Sequence, residues 1–238
     1  MQELKIFNAF GITPTNTFVS AGTDYYVPNI DENNVTQVKY ALMAFQKSYK
    51  VTMDDIDVLC NIFRFYDENK KFENQLTNII HLYYALYSNT IENLKNDPHE
   101  AVKYFINNYL IFDANGVAGI KMKLNDTLFI NSGIKIALPH GYAGVYLNKS
   151  GKGNAGFDVR AQVVYEDYSG YVHLSQAYTK DLLNEGQNIV YCGDKLVQML
   201  IIPVLHTTPV EIPFGEYNEL MSNTQRGDSG FGSSDVKH

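Results

Sequence analysis

Hydrophobic positions change period along the chain. Lys5-Ile6-Phe7, Thr17-Phe18-Val19 and Asp24-Tyr25-Tyr26-Val27 are short apolar or aromatic runs between turn residues, and each predicts a strand. From residue 33 the spacing becomes helical. Val35, Val38, Leu42 and Phe45 form one stripe; Ile56, Leu59, Ile62, Phe63 and Phe65 form a second. A third run carries Leu76, Ile79, Ile80, Tyr83, Tyr84, Leu86 and Tyr87, with His81 on its apolar face as a core or interface residue. A fourth follows Asp97-Pro98-His99-Glu100, which has a cap, a first-turn proline and an acid. Thr52-Met53-Asp54-Asp55 is a comparable start signal, so residues 33–112 predict about four helices.

Strand texture returns at residue 118. Leu128-Phe129-Ile130, Ile134–Leu138, Gly144–Leu147, Phe157–Tyr165, Tyr171–Leu174 and Leu196–Val204 are short and β-rich, with turns such as Asn131-Ser132-Gly133 and Pro139-His140-Gly141 between them. That is the pattern of a barrel or jelly roll. Asp31–Asn34 and Asp113–Gly116 read as hinges around the helical stretch, and residues 207–238 as a tail with little periodicity.

Composition narrows the function. A net charge of −7 excludes a general nucleic-acid coat, which needs a basic footprint, yet leaves room for a local anion site. Two cysteines, Cys60 and Cys192, make neither a disulfide scaffold nor a cysteine zinc site, and a reducing compartment is expected. The opening residues carry an acid and no apolar run, so no signal peptide is expected. Leu196–Leu205, the most apolar stretch, is too short to cross a bilayer. The expectation is a cytoplasmic protein with no membrane partner.

The chemistry concentrates in the tail. Arg226-Gly227-Asp228-Ser229-Gly230-Phe231-Gly232-Ser233-Ser234 joins a cation, hydroxyls and one aromatic ring to glycines that let backbone amides approach an anion. This stretch resembles the fifth motif of the trimeric dUTPases, which cleave dUTP to dUMP and pyrophosphate. Four more motifs follow the family's order: Ala21-Gly22-Thr23-Asp24, Asn148-Lys149-Ser150-Gly151, Tyr165–Gly170 and Gly193–Gln198. The helical stretch lies outside the resemblance. The implied fold is mainly β, a distorted jelly-roll barrel of residues 1–32 and 113–206, with an all-α insertion at 33–112 and a C-terminal arm at 207–238. The helices are expected to form a separable module. The insertion and the Asn- and Tyr-rich composition fit a phage or viral source.

The resemblance also implies roles. Asp24 would hold Mg²⁺ through coordinated water. Ser150 and Gly151 would present a hydroxyl and an amide to the phosphates. Lys149 stands where the family has arginine, giving charge without a bidentate fork. Gln198 would contact phosphate, Tyr168 would pack under the deoxyribose, and Phe231 would stack on uracil. Arg226, Gly232, Ser233 and Ser234 would enclose the terminal phosphate. A homotrimer follows, because family sites lie between subunits.

Two departures stand out. Tyr165 occupies the place of the family's water-activating aspartate, and a phenol is a poor base at neutral pH. Glu166 and Asp167 adjoin it; strand alternation would put Asp167 on the face of Tyr165. The interval from Ser150 to Tyr168 is also short. The uracil hairpin should therefore be trimmed around Arg160-Ala161-Gln162, with the Gln162 amide offered to the base. The sequence thus predicts a Mg²⁺-dependent dUTP diphosphatase slowed by Tyr165. The alternative is an inactive dUTPase-fold structural or regulatory protein that uses the insertion to bind a protein partner.

Overall fold

The computed structural model describes residues 3–16, 21–87, 89–181 and 187–224. The chain divides into two units, Met1–Val204 and Leu205–His238. Thr17-Phe18-Val19 and the fifth motif lie outside the described residues.

In the first unit the helices begin where capping chemistry dictates. Helix α1 (Val35–Tyr49) starts at Asn34, whose side chain accepts from the Gln37 amide. Helix α2 (Met53–Tyr66) has a reciprocal Thr52/Asp55 capping box. Helix α3 (Leu76–Ala85) is buried along most of its length. Helix α4 (Asn89–Asn93) is a single short turn. Helix α5 (Pro98–Asn108) follows the Asp97 cap, with Pro98 in its first turn. The "about four helices" are thus four long ones plus α4.

Among the described residues the strands arrange as four small antiparallel sheets. Strand β1 (Lys5–Asn8) pairs with β7 (Ile134–Ala137). A second sheet has the order β10 (Val163–Val164), β8 (Tyr142–Asn148), β13 (Lys195–Pro203), β2 (Thr23–Tyr26). A third has the order β3 (Leu86–Tyr87), β6 (Thr127–Asn131), β11 (His173–Tyr178), β9 (Phe157–Val159). The last joins β12 (Ile189–Tyr191), β5 (Ala118–Lys121) and β4 (Leu110–Phe112).

Periodicity did not separate four of these strands, β3, β4, β9 and β10. Leu86-Tyr87 continues the apolar run of α3 but leaves the helix to pair with Leu128 and Thr127. Leu110–Phe112 leaves α5 in the same way to pair with β5. Phe157–Tyr165, read as one strand, breaks at Arg160–Gln162, because β9 pairs with β11 and β10 pairs with β8. Those residues therefore cross between two sheets and form no hairpin.

The helices are not set apart from the barrel. One buried cluster includes Phe45, Ile79 and Ile80 from the helices and Ile120, Leu128 and Ile130 from the strands. Polar bonds stitch the same boundary. The Asn131 amide donates to Ser48 Oγ at 2.8 Å, and the Tyr49 hydroxyl donates to the Phe129 carbonyl at 3.1 Å. The first hinge is tied to α3: Asn78 bonds both backbone groups of Ile30, and Glu32 accepts from the Thr77 hydroxyl at 2.8 Å. The compact unit runs to Val204 and contains the helices. In the second unit, helix α7 (Phe214–Met221) exposes Phe214, Tyr217 and Leu220, within a tail that showed no clear period.

His81 sits in the shared core, as its place on the apolar face predicted. Its ring stacks on Phe45 at 4.6 Å, and among the described residues neither nitrogen has a hydrogen-bond partner. Burial pushes the imidazole down to about 3; His173, also depressed by burial, lies at about 4.

Two outcomes follow. The unfolded chain takes up protons at its histidines near pH 6.5, while the folded chain resists, so stability falls as pH drops below about 6.5 toward 3. His81→Phe should raise Tm at pH 8, because an unpaired buried polar group costs roughly 1–3 kcal/mol. At pH 5 the gain should be larger by about 2 kcal/mol, since each pH unit is worth about 1.4 kcal/mol. Melts at both values check this, and equal gains would contradict it. Replacing Asn33–Phe112 with a Gly/Ser linker should abolish a cooperative melt. Each buried aliphatic side chain uncovered on β5 and β6 costs about 1.5–3 kcal/mol, against a total stability of about 5–15. A cooperative melt near the wild-type temperature would show the barrel to be independent.

Candidate active site

The second sheet brings three of the sequence motifs together. Gln198 on β13 lies opposite Asp24 on β2 and beside Leu147 on β8. Its amide donates to the Asn148 carbonyl at 3.0 Å, which fixes the turn into Lys149. Gly22 explains itself here: a Cβ would stand 3.2 Å from Gln198 Oε1, so a larger residue would crowd β13.

Asp24 is held by two ammonium groups. Lys149 Nζ meets Oδ1 at 2.5 Å, and Lys195 Nζ meets Oδ2 at 3.1 Å. Burial alone would raise this carboxyl, but the two lysines outweigh it and hold the group below the usual carboxylate range. Lys149 caps the short helix α6 (Ser150–Ala155), and Ser150 and Gly151 are exposed in its first turn. Nothing crowds Gly151. Lys152 turns away, to Asp194 at 2.8 Å. The corner therefore holds one carboxylate between two cations beside an open hydroxyl and amide, an arrangement suited to phosphate oxygens. Among the described residues, no group of three or more His, Cys, Asp or Glu side chains could hold a metal ion. With both Asp24 oxygens engaged, the fit to Mg²⁺ is a carboxylate accepting from metal-bound water, not direct ligation.

The third motif lies elsewhere. Val164 pairs with Gly144, so Tyr165 emerges beside Ala143, at the opposite end of β8 from Lys149. Six residues of strand separate the two, about 20 Å at 3.4 Å per residue. Tyr165–Tyr168 is a turn, closed by the Tyr168 amide donating to the Tyr165 carbonyl at 3.1 Å. The alternation argument for Asp167 is therefore corrected: these residues are not strand. Glu166 is committed to the neighbouring turn, where Oε1 meets His140 Nδ1 at 2.8 Å and Oε2 accepts from the Gly141 amide. Asp167 and Tyr165 are exposed. Tyr168 is exposed, donates to the Tyr171 carbonyl at 2.7 Å, and lies so close to Gly170 that a Cβ there would collide with its hydroxyl. Gln162 donates to the Val159 carbonyl at 3.4 Å and holds the crossing rather than a hairpin tip.

Behind the turn, a cleft of about 190 Å³ opens between the second and third sheets. Tyr165 and Tyr168 stand at its mouth, and Tyr146, Phe129 and His173 line it. Phe129 and His173 stack at 4.3 Å, nearly parallel. Sequence reasoning passed over these three, whose only signal is an aromatic ring at an alternating strand position. Arg226, Phe231, Gly232, Ser233 and Ser234 lie outside the described residues.

Comparison with known proteins places the chain in a family. A family model described as dUTPase matches residues 108–235, more than half of the chain. The deoxyuridine 5′-triphosphate nucleotidohydrolase of Hydrogenobaculum sp. (strain Y04AAS1) is 31% identical over 116 residues, covering 47% of this chain and 73% of that one. The enzyme of the same name from Ictalurid herpesvirus 1 (strain Auburn) is 28% identical over 127 residues, covering 50% and 61%. The fold resembles the Staphylococcus bacteriophage 80alpha dUTPase solved with dUPNHPP, with a TM-score of 0.50 and 11% identity over 99% of this chain and 100% of that one. On the matched family model, and on a relative 31% identical and covered over 73% of its length, the chain belongs to the dUTPase family.

Proposed function

We propose that the chain binds dUTP and hydrolyses it slowly to dUMP and pyrophosphate. The observation that carries this reading is the meeting of Asp24, Lys149 and Gln198 in one open, cationic corner. Lys149, Ser150 and Gly151 would receive phosphate oxygens there. Asp24 would hold Mg²⁺ through its water, and the ion, when bound, neutralises phosphate charge. Tyr168 would support the deoxyribose at the mouth of the aromatic cleft.

The site is shared between chains on this reading. A group that orients the attacking water must lie within hydrogen-bond reach of it. Tyr165 and Lys149 stand at opposite ends of β8, too far apart to serve one α-phosphate. The corner of one chain therefore works with the third-motif turn of another, which supports a homotrimer.

Tyr165 limits the rate. Glu166 is engaged by His140 and Gly141, which leaves Asp167 as the turn's exposed carboxylate. The same observation favours a second reading, a chain that binds dUTP without turning it over and acts as a regulatory or structural component through its helical face.

Pyrophosphate release from dUTP with Mg²⁺, set against dTTP, dCTP and UTP, tests the first reading. Slow release from dUTP above the other three is expected. Tyr165→Asp should raise kcat about 10²–10⁴-fold, the usual contribution of a positioned general base. No release from either protein, with a non-hydrolysable dUTP analogue still binding, would favour the second reading. No binding at all would remove both.

A further inference from the structure

The fourth motif carries a cation that the proposed function does not yet use. Lys195 Nζ meets Asp24 Oδ2 at 3.1 Å, while Lys149 Nζ meets Oδ1 at 2.5 Å, so each ammonium has its own carboxylate oxygen. Two cations on one carboxylate are one more than neutrality needs. The Asp24 side chain is only 15% exposed, so water does not readily replace a partner that leaves.

The two lysines are placed differently. Lys149 directly precedes Ser150 and Gly151, whose hydroxyl and amide stand open in the first turn of α6. Among the described residues its ammonium is held by Asp24 alone. Lys195 comes from β13, in register with Tyr26 on β2. Its ammonium lies 5.7 Å from the centre of the Tyr26 ring, and the Tyr26 hydroxyl is in turn held by Thr15 Oγ1 at 2.5 Å. Lys195 is therefore braced on the strand that carries Asp24, and Lys149 is the lysine beside the open phosphate donors.

A phosphate received at Ser150 and Gly151 draws on the Lys149 ammonium. If Lys149 were the sole partner, its transfer would strip a mostly buried carboxylate of its counter-charge in front of an incoming polyanion, which is costly. With Lys195 on Oδ2, Asp24 stays paired. We infer that Lys195 is a positioning residue: it holds Asp24 while the Lys149 ammonium passes from that carboxylate to a phosphate oxygen of the bound nucleotide. This rests on the dUTP-binding reading above. Lys195 itself does not touch the nucleotide. One ion pair is exchanged for another, and no covalent bond or proton changes hands.

The test is calorimetric titration of the full chain with a non-hydrolysable dUTP analogue. It is run without Mg²⁺, so that the proposed hold of Asp24 on the ion does not enter, and a melt establishes that each variant is folded. Lys195→Met should weaken the analogue about ten- to a hundredfold, the range of one hydrogen bond to a charged group. Lys195→Arg keeps the charge and should bind close to wild type. Adding Asp24→Asn to Lys195→Met removes the carboxylate that detains Lys149, and affinity should return most of the way to wild type. A lysine with a merely structural role would not be rescued by deleting the group it holds. If Lys195→Met does not fold, Lys195→Gln takes its place, with the same expectations. Wild-type affinity in the folded single variant would overturn the inference. So would a double variant as weak as the single one, which would make Lys195 a direct phosphate contact. Either result leaves dUTP binding standing, whereas absence of binding by the wild-type chain would overturn both readings.

Discussion

The pairing of β13 with β8 on one side and β2 on the other is the constraint on which the site depends. Side chains alternate along a strand, so a slip of one residue would turn Gln198 away from Asp24. The register contains an irregularity between Lys195 and Val197. Without it, Lys195 and Gln198, three residues apart, would face opposite sides of the sheet. With it, both address the face that carries Asp24, and the carboxylate gains its second ammonium. Local bulges that re-aim a side chain beside a site are a known use of this irregularity.

On the proposed reading, the same sheet explains why one chain would hold only part of a working site. β8 is long enough to carry the second motif at one end and to brace the third at the other, through β10. An extended strand cannot fold back to bring them together. What a barrel separates within a chain, symmetry can rejoin between chains, because a rotated copy presents its other end. The helices take part indirectly. Ser48 on α1 bonds both Asn131 and His173, and so steadies the wall of the aromatic cleft from behind.

Much of this was legible in the residues. Alternation marked β6, β7, β8 and β13, and the caps at Thr52 and Asp97 set the starts of α2 and α5. Asp24, Lys149 and Gln198 were found by motif order, and they do meet. The crossing at Arg160–Gln162 was not legible, because β-rich texture cannot say which sheet a segment joins. The turn at Tyr165–Tyr168 was hidden for a related reason: tyrosines favour strands, and the bond that closes the turn runs between backbone groups. Glu166 looked available until its partners, His140 and Gly141, came from a loop 25 residues away.

A mixed-subunit experiment addresses the claim that the site is built from two chains. Lys149→Ala disables the phosphate corner, and Tyr168→Ala disables the third-motif turn. Each variant alone should bind a non-hydrolysable dUTP analogue weakly. Co-expressed with different tags and purified as mixed assemblies, the two should recover a fraction of sites at wild-type affinity, where an intact corner meets an intact turn. Mixed assemblies that bind no better than either variant alone would place both halves of the site in a single chain and contradict the account.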